Sequence, residues 1–232
     1  MAKRNIVILT SGGLGSTVAT CRSGPDEQVH CVFADYGQPA AAREFAAVQA
    51  VAKSNHGTIP RRLTISHVTE INAFSGRGGV GAASGAGSGL RLTDISQAPL
   101  LPTLVLAAAQ WAVRIGAGQL VLGLYRGPNF SQVERARNPQ WVNAPGEFIH
   151  AANILLETAL PAAAALEVTA PLIDLAAGEV IRLGQRLQTP LNLTWSCEQA
   201  GESPCRACHG CLRREQAFQA AGIEEPSLAL AR

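Results

Sequence analysis

LTSGGLGSTVAT, residues 9–20, continues the apolar run IVIL at residues 6–9 and places three glycines within four residues. The apolar run is typical of a buried strand, and we expect the following helix to begin near Ser16. Glycines let backbone N–H groups approach an anion closely, and the N-terminus of a helix attracts negative charge. The stretch therefore predicts a phosphate-binding turn between the first strand and the first helix of an α/β sheet.

Short apolar runs alternate with helix-forming segments along the rest of the chain. Further strands are expected at 29–34, 61–66, 119–125 and 166–171, and helices at 39–55, 102–115, 147–160 and 175–187. This alternation predicts parallel βαβ units, and hence an α/β fold with a doubly wound parallel sheet. We expect the nucleotide-binding domain to span residues 1–190 and a zinc-binding segment to span 191–232. The stretch at 75–89 is almost entirely Gly, Ala and Ser, which predicts a flexible loop.

Composition restricts the class of protein. The 232 residues are 47% hydrophobic and 16% charged, which is typical of a globular domain. A formal charge of +2 is too small to indicate nucleic acid or an anionic membrane as a partner. The first apolar patch is shorter than the core of a signal peptide, and no apolar run approaches the ~20 residues that span a bilayer. We therefore expect a cytoplasmic protein without a membrane or nucleic-acid partner.

Cysteine usage separates into two isolated residues, Cys21 and Cys31, and a cluster near the C-terminus. The cluster has the spacing C-x7-C-x2-C-x2-C and consists of Cys197, Cys205, Cys208 and Cys211. Four thiolates at such spacing favour tetrahedral Zn²⁺, and a site closed by four protein ligands is structural. An iron–sulfur cluster is the alternative, although the spacing departs from ferredoxin motifs. Basic residues that could offset the thiolate charge are Arg206, Arg213 and Arg214.

Three phosphate-binding motifs compete for the glycine turn. The Walker pattern fails because no lysine follows the glycines. A dinucleotide pattern begins at Gly13 and Gly15 but meets Val18 in place of its third glycine; Asp35 lies about where a ribose-binding acid is expected. The S-G-G-x-D-S loop of ATP pyrophosphatases matches at five of six positions, with Gly15 in place of the aspartate. The residues of the turn alone leave the second and third motifs open.

Taken together, the turn at 11–16, the DYGQ corner at 35–38 and the TWSC…CRACHGC ending at 194–211 resemble the 7-cyano-7-deazaguanine synthase (QueC) family. Weaker matches follow in the family's order: LTD at 92–94, EFI at 147–149, PLI at 171–173 and LRR at 212–214. The resemblance covers nearly the whole chain. It implies the PP-loop ATP pyrophosphatase superfamily and an adenine nucleotide alpha hydrolase-like fold with a helical zinc-binding extension.

The resemblance also implies a reaction. Such an enzyme adenylates the carboxylate of 7-carboxy-7-deazaguanine with ATP and Mg²⁺, and ammonia then displaces AMP to give the amide. A second activation dehydrates the amide to the nitrile. No catalytic residue is assigned, and the expected nucleotide-binding residues are Ser11, Gly12, Gly13, Leu14, Gly15, Ser16, Thr17, Asp35, Tyr36 and Gln38.

Several departures from the family pattern concern charged residues. The family usually has aspartate at position 15, Arg-His after the DYGQ corner, Arg-Asn before the long apolar helix and K-A-E after PLI. The corresponding residues here are Gly15, Pro39 and Ala40, Leu100 and Leu101, and Ala177 to Glu179. An S-G-Y-P-D-C-R stretch has no counterpart. Three arginines near that point could compensate, although a solvated loop explains them as well: Arg126, Arg135 and Arg137.

Three hypotheses follow from these matches and departures. The first is a diverged ATP-dependent ligase that adenylates 7-carboxy-7-deazaguanine or a related acid and passes it to ammonia or an amine. The second is a catalytically inactive QueC-like scaffold, a pseudoenzyme that forms a homodimer or joins an active partner in a heterodimer. The third is a dinucleotide-binding oxidoreductase, in which the cysteine cluster would have no role.

Overall fold

The computed structural model describes residues 3–55, 58–65, 100–126 and 145–227. The predicted flexible loop at 75–89, the LTD match at 92–94, and Arg135 and Arg137 lie outside these ranges. Within them, no helix combines the length and the apolarity that crossing a bilayer requires.

Strands alternate with helices in the predicted manner. The strands are β1 (Arg4–Thr10), β2 (Glu27–Asp35), β3 (Ile59–Thr64), β4 (Gln119–Leu122), β5 (Tyr125–Arg126), β6 (Glu167–Thr169) and β7 (Leu172–Ala176). Five of them form one sheet in the order β3-β2-β1-β4-β6, and every pairing in it is parallel. Because the chain builds outward from β1 in one direction and then in the other, the sheet is doubly wound, which confirms the predicted fold class.

Helices cover both faces of this sheet. They are α1 (Leu14–Cys21), α2 (Ala41–Ser54), α3 (Leu100–Arg114), α4 (Pro145–Ala159), α5 (Ala177–Arg186) and α6 (His209–Ala221), with 3₁₀ turns at Ala162–Ala164 and Leu191–Leu193. Residues of α1, α2, α5 and α6 pack with Ile6 and Ile8 on one face, and residues of α3 and α4 pack with Val7 on the other. Both faces of β1 are therefore buried, which explains its uninterrupted apolar sequence.

Several details of the sequence prediction are wrong, among them the unpredicted strand β7, whose last two residues fall in the helix expected at 175–187. Residues 119–125 are not one strand, because β4 ends at Leu122 and Tyr125 begins β5, which pairs with β7 in a separate two-stranded sheet. The chain leaves the main sheet where Gly123 meets the start of α1: a Cβ at Gly123 would lie 2.3 Å from the Ser16 backbone nitrogen. The apolar helix expected at 102–115, α3, begins earlier, at Leu100, and it leaves Leu106 40% exposed.

Candidate nucleotide and metal site

A cavity of about 290 Å³ opens at the carboxyl ends of β1, β2 and β4, where ligands bind in sheets of this kind. The glycine turn forms one side of it, and residues that follow the turn at Leu191–Leu193 form the other. The sequence-predicted nucleotide-binding residues that line the cavity are Ser11, Gly13, Leu14, Gly15, Ser16, Tyr36 and Gln38. Residues of the glycine turn and residues 195–198, which are far apart in sequence, thus enclose the same cavity.

Gly12 and Thr17 hold the turn in place but do not line the cavity. The carbonyl of Gly12 accepts a hydrogen bond from the backbone N–H of Trp195 at 2.9 Å. Thr17 is 1% exposed, and its hydroxyl donates to the Gly13 carbonyl at 2.8 Å. This hydrogen bond links α1 to the glycine turn and does not place the hydroxyl in the cavity.

Asp35 ends β2 outside the cavity lining, and its carboxylate is already paired. It accepts hydrogen bonds from the Nε of Arg62 at 3.0 Å and from the Gly37 N–H at 3.1 Å. Partial burial raises the pKa of Asp35, but these hydrogen bonds outweigh burial and hold the pKa below its ordinary value. Asp35, the acid that the dinucleotide motif would use to bind a ribose, is therefore already paired with Arg62 of the neighbouring strand β3.

Gly15 is packed too tightly to carry a side chain. A Cβ built there would lie 2.1 Å from the carbonyl oxygen of Gly123 and 2.9 Å from the ring of Tyr125. The first distance involves backbone, so relief would require moving either the end of β4 or the start of α1. With this backbone, an aspartate at position 15 has no room.

The structure adds a buried carboxylate that the sequence did not indicate, Glu44 in the first turn of α2. Glu44 lines the cavity and accepts a hydrogen bond from the Nε2 of Gln38 at 2.8 Å. Burial, helped by the charges of Glu198 and Asp35 and opposed by the hydrogen bond from Gln38, raises the pKa of Glu44 to about 7. Glu44 lies six residues after the DYGQ corner and belongs to no motif, so no signal in the sequence indicated it.

The four clustered cysteines converge on one point. Their sulfur atoms all lie within 4.8 Å of one another, and the Sγ atoms of Cys197 and Cys208 are 3.9 Å apart. A tetrahedral ion with bonds of about 2.3 Å to sulfur requires sulfur separations of about 3.8 Å. Backbone N–H groups donate to Cys197 at 3.4 Å from Cys205, and to Cys205 at 3.2 Å from Cys208. The donor set and its spacing fit a single metal ion.

The four cysteines differ in exposure and in acidity. Cys197 and Cys211 are buried, whereas Cys205 is exposed on the outer side of the cluster. Hydrogen bonds from the Ala207 and Cys208 N–H groups lower the pKa of Cys205 to about 6, which favours the thiolate that a metal binds. Between the last two ligands, a Cβ at Gly210 would lie 2.0 Å from the Ser196 carbonyl oxygen, so α6 begins directly against the segment that carries Cys197.

Trp195 joins the metal-binding segment to the glycine turn. It is 2% exposed; its backbone N–H donates to Gly12, and its indole Nε1 donates to the Cys197 carbonyl at 2.8 Å. It packs in one cluster with Cys197, Cys211 and Ala47 of α2. Trp195 thus transmits the position of the cysteine cluster to the wall of the cavity.

The basic residues near the cysteines have other partners or other positions. Arg214 is 5% exposed and donates to the Thr194 hydroxyl at 2.6 Å and to the Leu191 carbonyl at 3.1 Å. Arg213 lines the cavity. Of the arginines expected to compensate for lost charge, Arg126 is within the described ranges; it lies 3.8 Å from Glu179 on the surface.

Comparison with known proteins identifies the family. The model of the queuosine biosynthesis protein QueC matches residues 5–222. The chain belongs to the QueC family. The 7-cyano-7-deazaguanine synthase of Methanothrix thermoacetophila is 34% identical over 230 residues, covering 95% of this chain and 96% of that protein. The synthase of Archaeoglobus fulgidus is 30% identical over 226 residues, covering 96% and 89%. The recognition made from the motifs is confirmed.

Among solved structures, the chain is similar to the U34-tRNA thiolase NcsA from Methanococcus maripaludis with its [4Fe-4S] cluster. The identity is 13% and the TM-score 0.47, and the match covers 94% of this chain and 64% of that one.

Proposed function

We propose that this QueC-family chain is a diverged enzyme that uses ATP to activate a carboxylate, 7-carboxy-7-deazaguanine or a related acid, for attack by ammonia or an amine. The observation that carries the proposal is the cavity enclosed by the glycine turn on one side and the segment around Trp195 on the other. Retention of both sides in a family member supports retention of ligand binding.

The residues present suit the first half of this reaction. The N-terminus of α1 and the backbone of the turn attract phosphate, while Glu44 and Glu198 offer carboxylate oxygens for Mg²⁺ from the described lining. The substrate carboxylate oxygen attacks the α-phosphorus and pyrophosphate leaves; the amine nitrogen then attacks the acyl carbon and AMP leaves. Catalysis of this kind depends mainly on positioning and on stabilising charge at the α-phosphate.

We further propose that the metal is structural zinc. Four thiolates spaced for one tetrahedral ion leave no open coordination position. A four-iron cluster takes one thiolate on each iron, which separates the sulfurs more widely than a single ion does. The contact between Trp195 and Gly12 supports zinc-dependent placement of the segment 191–232 against the domain 1–190. Elemental analysis is expected to find about one zinc per chain; iron with acid-labile sulfide would refute the zinc assignment.

A second candidate is a catalytically inactive member that acts as a subunit of a dimer. The observation that favours it is the absence of space for a carboxylate at Gly15. Family membership lends no support to the dinucleotide-binding oxidoreductase, whose expected acid, Asp35, is paired with Arg62.

Pyrophosphate release distinguishes the first two candidates. The purified protein, with 7-carboxy-7-deazaguanine, ammonia, ATP and Mg²⁺, is expected to release pyrophosphate in proportion to the acid supplied. A denatured sample and a reaction without acid serve as controls. Failure with every acid tested, together with no ATP binding by calorimetry, would favour the inactive subunit; fluorescence of bound NADH would favour the oxidoreductase.

A further inference from the structure

Two consecutive arginines of α6 line the same cavity in contrasting states. All three guanidinium nitrogens of Arg214 have partners, because its Nε donates to Glu225 in addition to the bonds with Thr194 and Leu191. The guanidinium also stacks 5.2 Å from the ring of Phe218. Arg214 is therefore a structural residue, fully used in joining α6 to the segment before the first cysteine.

Arg213 is different. Its Nε is buried from solvent, yet no hydrogen-bond partner exists for it among the described residues. No carboxylate of those residues lies within ion-pairing distance of it either; Glu198, on the same side of the cavity, is 4.0 Å from His209. A buried donor without a partner lowers stability, so such a group in a native fold needs an explanation.

The two terminal nitrogens of Arg213 are not buried and also have no hydrogen-bond partner among the described residues, so they, rather than the covered Nε, can reach a ligand in the cavity. The Arg213 side chain lines the cavity together with Ser196, Glu198 and, across the cavity, the turn residues Ser11 and Ser16. A guanidinium presents paired N–H donors that match the two oxygens of a carboxylate or phosphoryl group. Of the two guanidiniums here, only that of Arg213 has a nitrogen without a partner in the described part of the chain.

We propose that Arg213 binds an oxyanion of the ligand, the phosphoryl group of a nucleotide or the carboxylate of the acid, on the tail side of the cavity. The inference rests on the proposed function and names one residue for its ligand recognition. Arg213 follows Cys211 by two residues on α6, so the cysteine cluster determines where the guanidinium stands. The metal site then does more than stabilise the fold, because it also positions the guanidinium of Arg213 to bind the ligand.

The test compares Arg213→Gln and Arg213→Lys with a matched control, Arg186→Gln, which removes an exposed arginine of α5 outside this cavity. Calorimetry measures the binding of AMP, adenosine and 7-carboxy-7-deazaguanine to each metal-loaded protein. For Arg213→Gln we expect at least tenfold weaker binding of AMP or of the acid, and unchanged binding of adenosine. Arg213→Lys keeps the charge and is expected to lose less, and Arg186→Gln is expected to bind as the wild type does.

Each outcome has a meaning. Weakening of AMP alone assigns Arg213 to the phosphoryl group, and weakening of the acid alone assigns it to the carboxylate. Unchanged binding of both, or equal weakening of adenosine, overturns the inference. The inference is also overturned if the wild-type protein binds neither AMP nor the acid. If the wild-type protein releases pyrophosphate but the Arg213 variants bind both anions as it does, the inference is overturned and the proposed function stands. Melting temperature and metal content verify folding, and if Arg213→Gln does not fold, Arg213→Lys decides by the same criteria.

Discussion

The glycine turn and the cysteine cluster are joined through Trp195, yet they have kept different parts of the family pattern. The cluster retains all four thiolates within 4.8 Å of one another. The turn retains its backbone shape but has Gly15 where the family usually has aspartate, and the carbonyl of Gly123 closes that position to any side chain. The hydrogen bond from Trp195 to Gly12 is one part of that connection.

This contrast shows that a site can keep its geometry while its charged groups change. The shape of the turn depends on packing by Trp195, Gly123 and Tyr125, which persists without a carboxylate at position 15. The zinc proposed for the cluster allows no such freedom, because a tetrahedral ion needs every ligand. Loss of one sulfur would therefore affect folding, whereas exchange of one charged group in the turn would alter chemistry first.

The strongest test of the contrast is Cys205→Ser. Because Cys205 is exposed, the change removes a metal ligand with little loss of packing. A structural zinc ion contributes about 10–16 kcal/mol in small zinc-dependent peptides, so we expect the free energy of unfolding to fall by about 5 kcal/mol. Thermal denaturation and metal analysis measure the result. Cys21→Ser, at a cysteine outside the cluster, is the control; full metal loss without destabilisation would contradict a structural role.

Arg214→Met tests the link between the two regions. The change removes the donor to the Thr194 hydroxyl and one of the donors to the Leu191 carbonyl, which also accepts from that hydroxyl, and we expect a loss of about 3 kcal/mol with metal content unchanged. Chemical denaturation measures it. Arg182→Met, which removes one hydrogen bond from an exposed side chain to Ala220, is expected to cost about 0.5 kcal/mol or less. Equal losses of stability for the two variants would show that Arg214 does not link α6 to the segment at 191–194.

Gly15→Ala tests whether the turn is closed to side chains. The added Cβ would lie 2.1 Å from the Gly123 carbonyl oxygen, so we expect destabilisation of about 2 kcal/mol. Gly24→Ala is the matched control, since a Cβ there meets nothing within 4 Å. Gly15→Asp should be at least as unstable and should not restore nitrile synthesis. Robust synthesis by that single variant would show that the turn adapts and that the other departures are unimportant.

The last test is the pH dependence of Glu44. Its pKa is raised from 4.5 to about 7, so between those values the folded protein binds more protons than the unfolded chain. Its contribution to stability is therefore greatest at low pH and declines as pH rises through about 7. Glu44→Gln keeps an acceptor for Gln38, and its stability relative to wild type should rise by about 2 kcal/mol from pH 5 to pH 8.

Urea denaturation at each pH measures this difference. Glu157→Gln, at an exposed glutamate of α4, is the control and should show a constant difference from wild type. A constant difference for Glu44→Gln as well would mean that the carboxylate is not buried in the cavity.

Much of the fold was predictable because its signals are local. The run IVIL indicates a strand buried on both faces, and the glycines mark the turn that follows it. The sequence prediction missed the end of β4 before Tyr125 and missed the strand β7. The reason is that β5 and β7 pair over very few residues from distant segments, and so short a pairing produces no periodic pattern in the sequence. In the site, the cysteine spacing was sufficient to predict the cluster, whereas Glu44 and the partnerless Nε of Arg213 were not predictable from their neighbours in sequence.

Local sequence was sufficient to predict the parallel α/β fold, the family and the four residues that can hold a metal, because periodicity, glycine turns and cysteine spacing can be recognised without knowing which segments meet. Three properties come from tertiary packing: Gly15 has no room for a side chain, Asp35 is paired with Arg62, and Arg214 is structural while the Nε of Arg213 has no partner among the described residues. Those properties depend on which atoms from distant segments come within contact distance, and packing alone fixes that.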